Sequence, residues 1–224
     1  MTEPRLLAFD TSGPSCMAAL LIGDQVSTRI EDMDRGQAER LIPLLEEMLA
    51  EAALTWADLD GIGVGVGPGN FTGIRISVSA ARGLALGLQK PAIGVNNFDV
   101  AAFGLRNVVA CLPAPRNQAY VKAFVDLADP APKLVDLEKK TEFPSIPSRA
   151  EARFVGPAAK EVARAYLGPN ANDNDIARQP VPPIEAIARI ASLRLASEQD
   201  PPAPMYVKPP DAAPAREQPP LILP

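Results

Sequence analysis

Two short segments carry residue types suited to phosphate chemistry. Asp10-Thr11-Ser12-Gly13 follows the apolar run Leu6-Leu7-Ala8-Phe9. A carboxylate at a strand's C-terminal end, followed by hydroxyls and a glycine, suits a nucleotide's phosphates or a bound magnesium. The same residues also make an ordinary turn. The second segment runs from Gly61 to Arg75, with Gly67-Pro68-Gly69-Asn70-Phe71-Thr72-Gly73 at its centre. Glycines let the backbone turn sharply and approach another group closely. The helix predicted after them presents unpaired N–H groups and a partial positive charge. Strand, glycine loop and helix start together make an anion cradle. Asp10, Thr11, Gly67, Gly69, Asn70, Thr72, Gly73 and Arg75 are therefore the candidate nucleotide or anion residues.

The loop is not a Walker loop, because no Gly-Lys-Ser/Thr follows it. Nor is it a dinucleotide fingerprint, because Gly61, Gly63 and Gly65 fall inside the predicted strand rather than after it. Three readings stand: a tight strand-to-helix turn, an anion site, or a protein contact. Arg75 falls in the first helical turn, where the macrodipole disfavours a cation. An anion or an acidic partner would offset that; a solvated arginine is the simpler reading.

The chain has 224 residues and no histidine. Ser-His-Asp and Cys-His hydrolysis are excluded within it, as are zinc sites that use histidine. No metal site is expected. Cys16 and Cys111 lie in apolar runs and read as small buried hydrophobes of a reducing compartment. With 22 Lys and Arg against 27 Asp and Glu, the net charge is −5. An acidic chain binds nucleic acid poorly by itself, so any RNA would be reached through a partner's basic surface. No apolar stretch approaches the roughly 20 residues of a spanning helix, and the first apolar run is too short for a signal peptide. A cytoplasmic protein with no membrane contact is expected.

These residues need elements to hold them. Strands are predicted at Leu6–Asp10, Cys16–Ile22, Gln25–Glu31, Ile62–Val66 and Ala92–Val95, with helices at Gln37–Ala53, Gly73–Leu88 and Asn97–Phe103. Pro43 is placed in the first turn of its helix, where a missing N–H costs little. Two hairpin-linked strands followed by alternating α and β give a mixed sheet flanked by helices. The second half is expected to hold strands at Val108–Leu112, Tyr120–Leu127 and Phe154–Gly156. Pro113 and Pro115 fall in a loop, 128–153 in loop or edge structure, and helices at Ala158–Tyr166 and Pro183–Glu198. From Pro201 onward proline dominates, and an extended, partly disordered tail is expected. Each half starts with a hairpin and ends with a helix, but no sequence repeat is visible.

Two helices are more apolar than a surface helix requires. Leu41, Leu44, Leu45 and Met48 line one; Ile74, Ser77, Val78, Ala81, Leu84 and Ala85 line the other. Side by side, these ten residues are expected to form a protein–protein face, the alternative being a buried core layer.

Leu7-Ala8-Phe9-Asp10-Thr11-Ser12, the block Gly67–Ile76 and its continuation through Gly83-Leu84-Ala85 to Gly94-Val95 resemble the TsaB family. These are accessory subunits of the bacterial tRNA threonylcarbamoyladenosine machinery. Asn70 stands where the family typically has serine, and Gln37 where histidine is common. Pro113–Tyr120 departs from the family's Asp-Ala-Arg before a Gly-Glu-Val-Tyr hairpin. Near the end Met205-Tyr206-Val207-Lys208 matches again. The resemblance implies an α/β, actin-like ATPase (ASKHA, ribonuclease H-like) fold of two similar lobes with a degenerate nucleotide site. Lobes at 1–104 and 105–200 are expected, the last helix packing on the first lobe, with a proline-rich tail at 201–224. The resemblance also implies a TsaD-like catalytic subunit paired through the N-terminal helices, a TsaE-like ATPase docked on the pair, and a homodimer when the chain is alone. ATP or ADP would act at the level of that complex. The expected function is a non-catalytic scaffold in modification of the adenosine beside the anticodon. The alternative is a small ATPase or kinase of the same fold, with its own phosphate site.

Overall fold

A computed structural model of the protein describes residues 3–124, 131–139, 143, 153–197 and 200–207. The first sheet holds β1 (Arg5–Asp10), β2 (Ser15–Ile22), β3 (Gln25–Asp32), β4 (Gly61–Gly65) and β5 (Ala92–Val95), in the order β3-β2-β1-β4-β5. β1, β2 and β3 pair antiparallel, while β4 and β5 run parallel to β1. The second sheet holds β6 (Val108–Ala114), β7 (Gln118–Phe124), β8 (Lys133–Asp136) and β9 (Arg153–Val155), in the order β8-β7-β6-β9. β6, β7 and β8 again pair antiparallel, with β9 parallel to β6. The second sheet thus repeats the order of the first, one strand shorter.

The first sheet is covered on both faces, which explains the unbroken apolar run in β1. Leu7, Phe9, Cys16, Ala18 and Leu20 face α1 (Gln37–Glu51) and α2 (Phe71–Leu88). Leu6, Ala8, Ala19 and Leu21 face the other way, against α5 (Pro183–Arg194). Period-two alternation sends successive residues to opposite faces, so both faces must be apolar. The glycines of β4 serve this layer. A Cβ on Gly63 would lie 2.9 Å from that of Ala191, and one on Gly61 2.5 Å from Leu195 Cδ1. Their absence lets α5 sit close against the sheet, while Ile62 and Val64 fill the α1/α2 side.

α3 (Asn97–Ala102) lies between the sheets and α4 (Ala159–Leu167) covers the outer face of the second. Arg40 binds Glu31 through two nitrogens at 2.7 Å and Glu47 at 2.6 Å. Arg29 binds Glu47 and Glu51, so a charge network ties α1 to β3. The Arg40 guanidinium holds the Glu31 and Glu47 carboxyls below their usual range.

Several boundaries differ from the sequence reading. α1 ends at Glu51 rather than Ala53, which has turned to φ 53°. Pro43 is inside α1, beyond its first turn, so a backbone bond to Glu39 is missing on the exposed side. α2 starts at Phe71, two residues early, because Asn70 caps it. Pro113 belongs to β6 rather than to a loop. α5 stops at Arg194 instead of Glu198. The strand expected to reach Leu127 is described to Phe124, and the tail beyond Val207, with Lys208, lies outside the described residues.

Candidate functional site

The two sequence segments meet at the C-terminal ends of β1 and β4. Asp10 is 2% exposed. Its Oδ1 accepts from the Ser12 N–H at 2.6 Å and its Oδ2 from the Ser12 hydroxyl at 2.9 Å. Burial pushes this carboxyl above its ordinary range, with the Ser12 and Thr11 hydrogen bonds opposing. A Cβ on Gly65 would come 2.5 Å from Asp10 Cγ, so the strand glycine makes room for the carboxylate. Asp10 therefore braces its own turn instead of facing open space.

Thr11 points the other way, under α2. Its N–H donates to Ser77 Oγ at 2.9 Å and its hydroxyl to the Gly73 carbonyl at 2.7 Å. The Thr11 and Ser77 hydroxyls are 2.7 Å apart. Because Thr11 spends its one hydroxyl proton on Gly73, Ser77 is the donor in that pair.

The glycine loop packs on the same turn. The Asn70 N–H donates to the Ser12 carbonyl at 2.8 Å. A Cβ on Gly69 would lie 2.7 Å from the Ser12 carbonyl oxygen, and one on Gly73 would overlap that of Thr11. Gly67, at φ 91°, faces the Ile74 side chain, and the Gly67–Pro68 peptide is cis. Asn70 Oδ1 caps the Gly73 N–H at 3.0 Å. The close approach that glycines allow is thus taken up by the protein's own backbone. Asn97, at the start of α3, completes the knot. Its N–H donates to the Gly67 carbonyl, and its Nδ2 to the Pro68 carbonyl and Ser12 Oγ. Asn97 was read as a helix start; its tie to the loop carries no sequence signal.

Thr72 is exposed at the start of α2. Among the described residues Arg75 meets no acid. Its guanidinium lies 3.7 Å from the Phe71 ring centroid, and its Nε donates to the Tyr206 hydroxyl at 3.1 Å. A cleft of about 680 Å³ opens beside this cluster. Ser12, Asn70 and Phe71 line one side; Pro113, Arg116 and Tyr120 of the second sheet line the other.

The expected partner face needs correction. Leu41, Leu44, Leu45, Met48, Ile74, Ser77, Val78 and Ala81 are buried within this chain, and Leu84 and Ala85 partly so. Their apolar breadth comes from α2 packing on both the sheet and α1. Outward on the two helices are the exposed apolar residues Ile42, Phe71 and Leu86, half-buried Ile76 and Ala80, and the glycines at 83 and 87. A Cβ on Gly83 or Gly87 would meet nothing within 4 Å.

A sheet order used twice, helices on both faces and a central cleft define an actin-like, ribonuclease H-like α/β protein of two similar halves. A family model described as "TsaD: tRNA N6-adenosine threonylcarbamoyltransferase" matches residues 25–136. The tRNA threonylcarbamoyladenosine biosynthesis protein TsaB of Haemophilus influenzae is 37% identical over 131 residues, 56% of each chain. The chain therefore spans about half the length of that curated relative. An uncharacterized protein of Mycobacterium tuberculosis is 31% identical over 93% of this chain and 94% of its own. A Pseudomonas aeruginosa crystal structure, described as an uncharacterized protein with similarity to peptidase YeaZ, superposes with a TM-score of 0.73 at 24% identity. It covers 92% of this chain and 100% of that one, and shares the fold. The chain belongs to the TsaB family. Among the described residues, no helix is long and apolar enough to cross a membrane.

Proposed function

We propose that the chain is a non-catalytic subunit of tRNA threonylcarbamoyladenosine formation that pairs with a TsaD-like catalytic subunit. The observation that carries this reading is the filled glycine loop. Thr11 and Ser12 backbone occupies the space that a phosphate cradle leaves open, and both Asp10 oxygens are engaged by Ser12. The peptidase likeness of a structural neighbour finds no histidine here to work with.

The proposed contact uses the outward side of α1 and α2. Glycine inside a helix costs about 1 kcal/mol relative to alanine. Among the described residues nothing requires that cost at Gly83 or Gly87; a partner helix crossing closely over Ile42, Ile76 and Ala80 would. The same strip supports a homodimer when the partner is absent. A TsaE-like ATPase, with ATP or ADP, acts on the pair, and tRNA is reached only through the catalytic subunit.

The test is light scattering of the purified chain mixed with the catalytic subunit of the same organism, with and without ATP. A stable heterodimer, with no ATP turnover by the chain alone, supports the proposal. No association, together with ATP hydrolysis by the chain alone, overturns it in favour of the ATPase reading.

A further inference from the structure

The segment from Pro201 to Val207 leaves α5 and crosses from the first sheet to the second. Pro202 is buried, its ring 3.5 Å from where a Gly94 Cβ would stand. The Met205 N–H then donates to the Val66 carbonyl at 2.8 Å, just past the end of β4. The Met205 side chain packs against two cores at once: the α1/α2 layer of the first sheet, and the layer between α3 and the second sheet. Val207 joins the latter layer. Between them Tyr206 turns outward onto Phe71, ring centroids 5.4 Å apart, and accepts the bond from Arg75. All three residues form part of the cleft wall.

Among the described residues, no hydrogen bond or ion pair joins the Ser12–Pro14 or Pro68–Phe71 loops to the β6–β7 turn. Behind the cleft loops α3 packs on the second sheet, and its exit carries two positive-φ residues, Gly104 (73°) and Asn107 (52°). Few residues with unusual dihedrals between two packed bodies make a hinge, and a single chain segment spanning the far rim makes a latch.

We propose that Pro201–Val207 is a strap that holds the cleft between the two sheets closed, with Met205 as the wedge and Tyr206 as the catch. The Phe71–Arg75–Tyr206 stack is exposed, so it releases without unfolding either core. Once it does, the halves turn about the layer that α3 shares with the second sheet, with the α3 exit taking up the change in backbone angle. This goes beyond the proposed pairing and does not depend on it, since the strap lies across the cleft and the pairing strip on the outer side of α1 and α2.

The test is a distance measurement between spin labels at Ser27→Cys on β3 and Lys160→Cys on α4. Both native cysteines are buried and stay unlabelled. In the full chain a single narrow distribution is expected. Tyr206→Ala, and separately a chain ending at Pro204, should shift it to longer distances, with a several-fold rise in the long-distance population. Leu193→Ala, an exposed change on α5, should leave it unchanged. If Tyr206→Ala, folded by circular dichroism, keeps the parent distribution, the strap is overturned. Tyr206 is 41% exposed and outside the cores, so that variant decides even where the shortened chain does not fold.

Discussion

The hydroxyls of Thr11 and Ser77 lie 2.7 Å apart, both fully buried where β1 passes under α2. Ser77 also accepts the Thr11 N–H, so this pair replaces the missing strand partner at the end of β1. Ser77→Ala leaves that buried N–H without an acceptor. The expected loss is about 1–3 kcal/mol of folding stability, read as a lower urea midpoint with unchanged slope. Thr11→Val removes the hydroxyl that bonds both the Gly73 carbonyl and Ser77 Oγ and should also lower the midpoint.

The glycines of the loop and those of the helix should behave oppositely. Gly73→Ala drives a Cβ into the Thr11 carbonyl and should unfold the chain or strip α2 from the sheet, seen in a lowered melting temperature. Gly83→Leu meets only open space and gains helix propensity of roughly 0.8 kcal/mol. It should melt no lower than the parent yet fail to copurify with the catalytic subunit. Copurification at the parent level would remove Gly83 from the pairing face.

Asp10 gives stability a pH dependence of defined sign. Its folded pKa lies above the ordinary carboxylate range because burial penalises the charge. The folded state then holds the proton more tightly than the unfolded one. Stability from this group is greatest below the unfolded pKa and falls as pH rises through the folded value. Asn at position 10 can still accept from the Ser12 N–H and donate to the Ser12 hydroxyl. Asp10→Asn should therefore gain on the parent between pH 4 and pH 8 in denaturant titrations. A constant difference across that range would contradict the assignment.

Burial, with the nearby Glu31 charge adding, pushes the Cys16 thiol up to about 11, and burial pushes Cys111 higher still. Both thiols should resist maleimide in the native protein at pH 7.5 and react fully in 6 M guanidinium. Rapid native labelling of either would show that its sheet opens locally.

The sequence made the first sheet legible because its strands alternate with helices of clear period. The second was harder, since β8 is a four-residue edge strand among prolines. The doubling of strand order is invisible in residue identity, because backbone pairing encodes it and many apolar residues satisfy the same burial. At the site, the loop–turn contact was legible only as glycine spacing; which backbone filled the space was not. The breadth of the apolar arc on α2 was read as a partner face, yet periodicity reports burial without saying by what. Arg75 was left open between an anion, an acidic partner and solvent, and its contact with Tyr206, 131 positions away, had no local signal.

The position of α5 also sets an order of events on the ribosome. β1 to β5 emerge first, but most of the cover on the face formed by Leu6, Ala8, Ala19, Leu21, Ile93 and Val95 comes from α5, through Ile184, Ile187 and Ala191, with Val100 of α3 beside them. The entire second sheet must be translated before that cover arrives. Until then the nascent first sheet carries α1 and α2 on one side and a bare apolar surface on the other, the kind of surface that chaperones capture and that aggregates when they do not. A stop codon before Pro183 would therefore remove more than a terminal helix: it would leave the earliest-made half of the protein permanently open.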